Sequence, residues 1–135
     1  MTVLVDTSAW VEYLRGTGSL HNLWLRDAIR AETPLGWTDP VLYELTAGAG
    51  SAQRAEELRA LLLRGPMLAV AGLRDWENAA ELYRSARSRG LTVRSSIDCL
   101  IAAVALRTDS SILALDRDFT ALTNVSDLVL EHPQP

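Results

Sequence analysis

The chain has 135 residues, 48% of them hydrophobic and 22% charged, which suits one domain with a substantial core and argues against a disordered or fibrous protein. All 13 basic residues are arginine, so any chemistry that depends on lysine is excluded. A formal charge of -4 weighs against a broad basic surface for nucleic acid, and the single cysteine, Cys99, rules out an intrachain disulfide. No basic segment followed by an apolar run opens the chain, and the longest apolar stretch, Cys99 to Leu106, falls well short of the ~20 residues a membrane span needs. A soluble protein of the reducing cytoplasm is expected.

In chain order, Thr2 to Val5 forms a short β-branched run ending at Asp6, the pattern of a buried parallel strand. Ser8 to Arg15 follows as a helix stopped by Gly16, and Ser19 opens another that runs to about Ala31. Asp39-Pro40 is a helix start, an N-cap with proline at the first helical position, and that helix reaches Gly48. Ala52 to Arg64 is amphipathic, Met67 to Ala71 reads as a strand, and Asp75 to Arg89 is a second amphipathic helix closed by Gly90. Ser95 and Ser96 lead into a helix to Arg107 that is apolar almost all round and belongs in the core. Ser111 to Leu115 is a strand ending at Asp116; a short helix around Phe119 to Leu122 and a last strand at Leu128 to Leu130 complete the chain. Alternating strands and helices over residues 1–135 predict a single three-layer α/β/α domain with a mainly parallel central sheet.

Four acids stand out against this pattern. Asp6 and Asp116 lie at the carboxyl ends of predicted strands, where ligand sites of open α/β sheets form. Glu44 and Asp98 are set in apolar helical stretches, Val-Leu-Tyr-Glu-Leu and Ile-Asp-Cys-Leu-Ile-Ala. Each has a second reading: Asp6 and Asp116 as N-caps, Asp98 as the acid of a capping box with Ser95, Glu44 as a solvent-facing acid near a helix start. If the four converge, their mutual repulsion calls for a divalent cation, and oxygen-only ligands favour Mg²⁺ or Mn²⁺ over zinc. Competing chemistries are poorly supplied. His21 and His132 have no serine or cysteine in a nucleophile motif, Cys99 lies among apolar residues, and no glycine-rich phosphate loop is present.

In order and at matching spacing, Val-Leu-Val-Asp6-Thr-Ser-Ala-Trp-Val, Pro40-Val-Leu-Tyr-Glu44-Leu, Ser-Ser-Ile-Asp98-Cys-Leu-Ile-Ala and Leu115-Asp116-Arg-Asp118-Phe119 resemble the PIN domain, and more narrowly the VapC ribonuclease toxins of toxin–antitoxin pairs. The resemblance implies an endoribonuclease in which Asp6, Glu44, Asp98 and Asp116 form an acidic quartet with Asp118 as an accessory acid. One or two Mg²⁺ ions held there would activate water and offset charge on the leaving oxygen. Thr7 and Ser8 beside the first acid, and Arg94 and Arg117 beside the later ones, are candidates for contact with substrate, with helix-start hydroxyls and plain surface arginines as the alternatives. An RNA substrate, a VapB-type antitoxin lying near Trp10, Leu14 and Trp24, and homodimerisation are further implications. Many relatives carry a hydroxyl residue two before the last acid, where this chain has Ala114. Setting the five acids aside turns the charge from -4 to +1, so the acidity is concentrated in the candidate site. A metal-dependent phosphatase or DNA nuclease using the same acids, and an RNA-binding module that does not cut, are the competing readings.

Overall fold

A computed structural model describes residues 1–135. Three parallel strands form the sheet: β1 (Val3–Val5), β2 (Leu35–Gly36) and β3 (Ser111–Leu113), in the order β2-β1-β3. Val3 pairs with Leu35 on one side and Ser111 on the other, and Val5 with Leu113. As the central strand, β1 is buried throughout, which is why its three residues are all apolar. Parallel neighbours need long crossovers, and these supply the helices: α1 (Thr7–Arg15), α2 (Leu20–Arg30), α3 (Asp39–Ala47), α4 (Ala52–Leu62), α5 (Leu73–Ser88), α6 (Ser96–Arg107) and α7 (Arg117–Thr123). The seven helices flank the sheet, with α1 against α2, α3 against α4 and α5 against α6. Cys99 to Ala105 of α6 are buried without a break, as its apolar circumference requires.

The expected elements are present with five differences. Leu35–Gly36 pairs as a strand although Pro34 and Gly36 give it the look of a loop. Met67 to Ala71 is not a strand: only Met67 bridges to Trp37, while the Val70 amide donates to Asp39 Oδ1 (2.9 Å) and the Ala71 amide to Asp75 Oδ2 (2.6 Å). Asp39, whose Oδ1 takes the Val70 amide, does not cap α3: the extended N-cap residue is Thr38, and Asp39 and Pro40 are the first two helical residues. The tail contributes one bridge, Leu130 to Ile112, rather than a strand. Finally, β3 stops at Leu113, leaving Ala114 and Leu115 as a connection outside the sheet.

Gly65 is required by a close approach. A Cβ there would lie 1.8 Å from the Leu35 carbonyl oxygen, and the Gly65 carbonyl accepts the Trp37 indole N–H at 3.1 Å.

Candidate active site

Asp6 leaves the end of β1 and caps α1. Ser8 donates to its Oδ2 twice, from the amide at 3.0 Å and from the hydroxyl at 2.6 Å. Asp116 follows β3 and caps α7, its Oδ1 accepting the Asp118 amide at 3.0 Å. Capping therefore engages one oxygen of each and leaves the other, so the capping and ligand readings do not compete. Asp98 is different. Ser95 makes no side-chain cap, no capping box forms, and Asp98 Oδ2 is buried with no hydrogen-bond partner.

Asp98, Asp116 and Asp118 each offer an oxygen within 4.8 Å of the others. Asp118, 3% exposed, is already engaged by the backbone: the Arg94 amide lies 3.0 and 3.1 Å from its two oxygens, and the Ser95 amide 2.9 Å from Oδ2. It thus fastens the start of α6 to α7 and fixes where Asp98 stands. Glu44 is exposed on α3, and Thr7 Oγ1 donates to its Oε1 at 2.9 Å, which sets Glu44 near enough to Asp6 for their charges to interact.

The electrostatics mark this cluster as uncompensated. Burial, then the charge of Asp6, then the neighbouring carboxylates Asp118 and Asp116 push the Asp98 carboxyl up to about 9. Burial also raises Asp6 against the opposing effect of its Ser8 bonds, with the Glu44 charge adding to the rise. No arginine guanidinium bonds to Asp6, Asp98, Asp116 or Asp118; the four side-chain ion pairs all lie elsewhere. Burial and the adjacent acids push the Cys99 thiol up to about 11, so it is not a nucleophile at neutral pH. Arg94 and Arg117 are exposed, and with Thr92, Leu115, Asp116 and Asp118 they line an open pocket of about 400 Å³ beside the acids.

Two arrangements escaped the sequence reading. Thr7 is committed to Glu44, and His21, an unremarked helix residue by its spacing, places Nε2 3.1 Å from the Ala114 carbonyl oxygen. No local pattern announces a partner 93 positions away. Trp10, expected with Leu14 and Trp24 to border a partner groove, is 2% exposed and belongs to the core, while Leu14 and Trp24 are partly buried against it.

The acids that come within 4.8 Å of one another are Asp98, Asp116 and Asp118, while Asp6 and Glu44 stand outside that group; the PIN domain family profile matches residues 3–125. A VapC ribonuclease of Mycobacterium bovis and ribonuclease VapC11 of Mycobacterium tuberculosis are each 39% identical over 127 residues, covering 93% of this chain and 95% of theirs. The chain therefore belongs to the PIN-domain family, among the VapC ribonucleases. In a VapBC2 complex from Rickettsia felis bound to a promoter DNA fragment, the fold is shared with a TM-score of 0.75 at 19% identity, over 97% of this chain and 98% of that one.

Proposed function

We propose that this chain is a toxin of a toxin–antitoxin pair, an endoribonuclease that hydrolyses RNA with Mg²⁺ or Mn²⁺ held by Asp6, Asp98 and Asp116. The observation that carries the proposal is Asp98, whose buried Oδ2 has no donor and stands among other carboxylates. A carboxyl with a pKa near 9 keeps its proton at neutral pH unless a cation takes the proton's place. The donors are all oxygens, which suits Mg²⁺ or Mn²⁺. A bound cation of this kind lowers the pKa of water and offsets charge on phosphate oxygens.

The chain's own residues do the rest. Glu44, held by Thr7 through Oε1, orients the attacking water and accepts its proton. Ser8 keeps Asp6 in place through two hydrogen bonds, and Asp118 acts as the accessory acid by holding the backbone that carries Asp98. Arg94 and Arg117 meet the RNA phosphates at the pocket they line. A single-stranded loop presents its backbone and bases to such a site most readily. An antitoxin segment lies along α1 and α2 against Leu14 and Trp24 and directs a basic residue toward the acids. The protein acts in the cytoplasm as a homodimer; no helix is long and apolar enough to cross a membrane.

The test is incubation of purified protein with RNA, single-stranded DNA and a phosphate ester, each with and without EDTA, beside an Asp98→Asn variant. RNA cleavage that EDTA and Asp98→Asn both abolish is expected. Cleavage indifferent to both sinks the cation, hydrolysis of DNA or ester in place of RNA reassigns the substrate, and RNA binding without cleavage that survives Asp6→Asn makes the chain a binding module.

A further inference from the structure

The peptide unit joining Ala114 to Leu115 lies past the end of β3, where the last ladder bond runs from the Asp6 amide to the Leu113 carbonyl at 2.9 Å. Both of its polar groups are nevertheless held, each by a side chain from another element. His21 Nε2 on α2 lies 3.1 Å from the Ala114 carbonyl oxygen, and the Leu115 amide donates to Ser8 Oγ on α1 at 3.0 Å. A carbonyl only accepts, so the ring nitrogen facing it carries a hydrogen. The same Ser8 hydroxyl donates to Asp6 Oδ2 at 2.6 Å. A continuous hydrogen-bonded path thus leads from the His21 ring, across one peptide, to the carboxylate of Asp6, and the residue following that peptide is Asp116.

His21 is itself well placed to hold that position. It is the second residue of α2, whose start is fixed by Ser19 Oγ accepting the Asn22 amide (3.1 Å), the Gly18 amide donating to Asn22 Oδ1 (2.9 Å) and Thr17 Oγ1 donating to Ser19 Oγ (3.0 Å). The connection it grips lies outside the sheet ladder: Leu115 is 45% exposed, and Ala114, half-buried against the core, offers no side-chain hydrogen bond. Ligands that share a cation must be held to within about 0.5 Å by supporting groups. Two side chains here do for Ala114 and Leu115 what the sheet does for the residues before them.

We infer that His21 is a positioning residue for the cation site: by gripping the Ala114 carbonyl it sets the placement of Asp116 relative to Asp6. The inference rests on the cation reading proposed above. It assigns His21 to the seat of the cation and not to RNA, so its loss weakens cation binding and leaves the KM for RNA at saturating Mg²⁺ unchanged.

The test compares wild type, His21→Phe and His21→Gln. The phenylalanine keeps a ring and removes the donor, and the glutamine restores an N–H at a similar reach. Mn²⁺ binding is followed by electron paramagnetic resonance titration without RNA, together with RNA cleavage as a function of Mg²⁺ and thermal unfolding in EDTA. For His21→Phe the Mn²⁺ dissociation constant is expected to rise about tenfold, the low end for loss of a supporting partner of a ligand. The Mg²⁺ needed for half-maximal cleavage should rise in step, and His21→Gln should return both close to wild type. If His21→Phe does not fold, His21→Leu takes its place. Equal Mn²⁺ affinity in wild type and the donor-free variant overturns the inference, as does equal weakening in the phenylalanine and glutamine variants, which would assign the ring to packing. A wild-type protein that binds no Mn²⁺ overturns the cation reading itself, and this inference with it.

Discussion

Asp75 and Asp98 are both buried acids near the start of a helix, on the two helices that pack against each other, yet they have opposite surroundings. Asp75, fully buried on α5, accepts from Arg107 Nε at 2.9 Å and Nη2 at 3.0 Å and from the Ala71 amide at 2.6 Å. Burial acts to raise its carboxyl, but the Arg107 and Ala71 hydrogen bonds and the Arg107 charge outweigh it and bring the group below its ordinary value of 3.8. Asp98 is also buried, with no arginine partner and two further carboxylates within 4.8 Å. A buried acid supplied with its own cation holds the fold together. One surrounded by acids is stable as a carboxylate only when a cation arrives from outside.

Substitution should separate the two most sharply. Asp98→Asn is expected to lower RNA cleavage on the order of a thousandfold, the several kcal/mol of charge stabilisation that a cation supplies, while leaving the melting temperature in EDTA undiminished. A variant that lost activity only because it unfolded would break the comparison. Asp75→Ala should do the reverse. Leaving Arg107 without its partner costs about 3 kcal/mol, read as a fall in melting temperature of about 10 °C, with cleavage at low temperature retained.

The pH dependence of stability in EDTA should also run in opposite senses. The raised Asp98 keeps its proton in the folded state where the unfolded chain releases it, so the stability it contributes is complete below its ordinary value of 3.8 and is lost as pH rises toward about 9. The slope from one such group is at most about 1.4 kcal/mol per pH unit, and Asp98→Asn should flatten it in chemical denaturation series. The lowered Asp75 contributes stability that is present above 3.8 and lost as pH falls through its folded value, so Asp75→Asn should reduce the sensitivity to acid. The smallest effect belongs to the rim. Glu44→Gln, at an exposed position bonded only by Thr7, should slow cleavage about a hundredfold, less than Asp98→Asn, in single-turnover assays at saturating Mg²⁺.

Much of this molecule is legible in its sequence. The helices came from spacing: α6 could be placed in the core because apolar residues cover its whole circumference, and Ser19 and Gly16 mark the ends they were read to mark. Asp6 and Asp116 were visible as acids at strand ends, and Glu44 and Asp98 as charges that their apolar neighbours do not explain. These are local signals, carried by residues within a turn or two of one another. Tertiary structure alone decided the rest. Leu35–Gly36 is a strand only because β1 lies beside it, and Met67 to Ala71 fails to be one because Asp39 and Asp75 take its amides. The pairing of Asp75 with Arg107 and the absence of any such partner for Asp98 join or separate residues that no periodicity relates. The bonds of the Ala114–Leu115 peptide to His21 and Ser8 span 93 and 107 positions, distances over which a helix or strand pattern carries no information. Sequence by itself determined which residues could supply charge, and the packing of the core determined which of those charges were left without a partner.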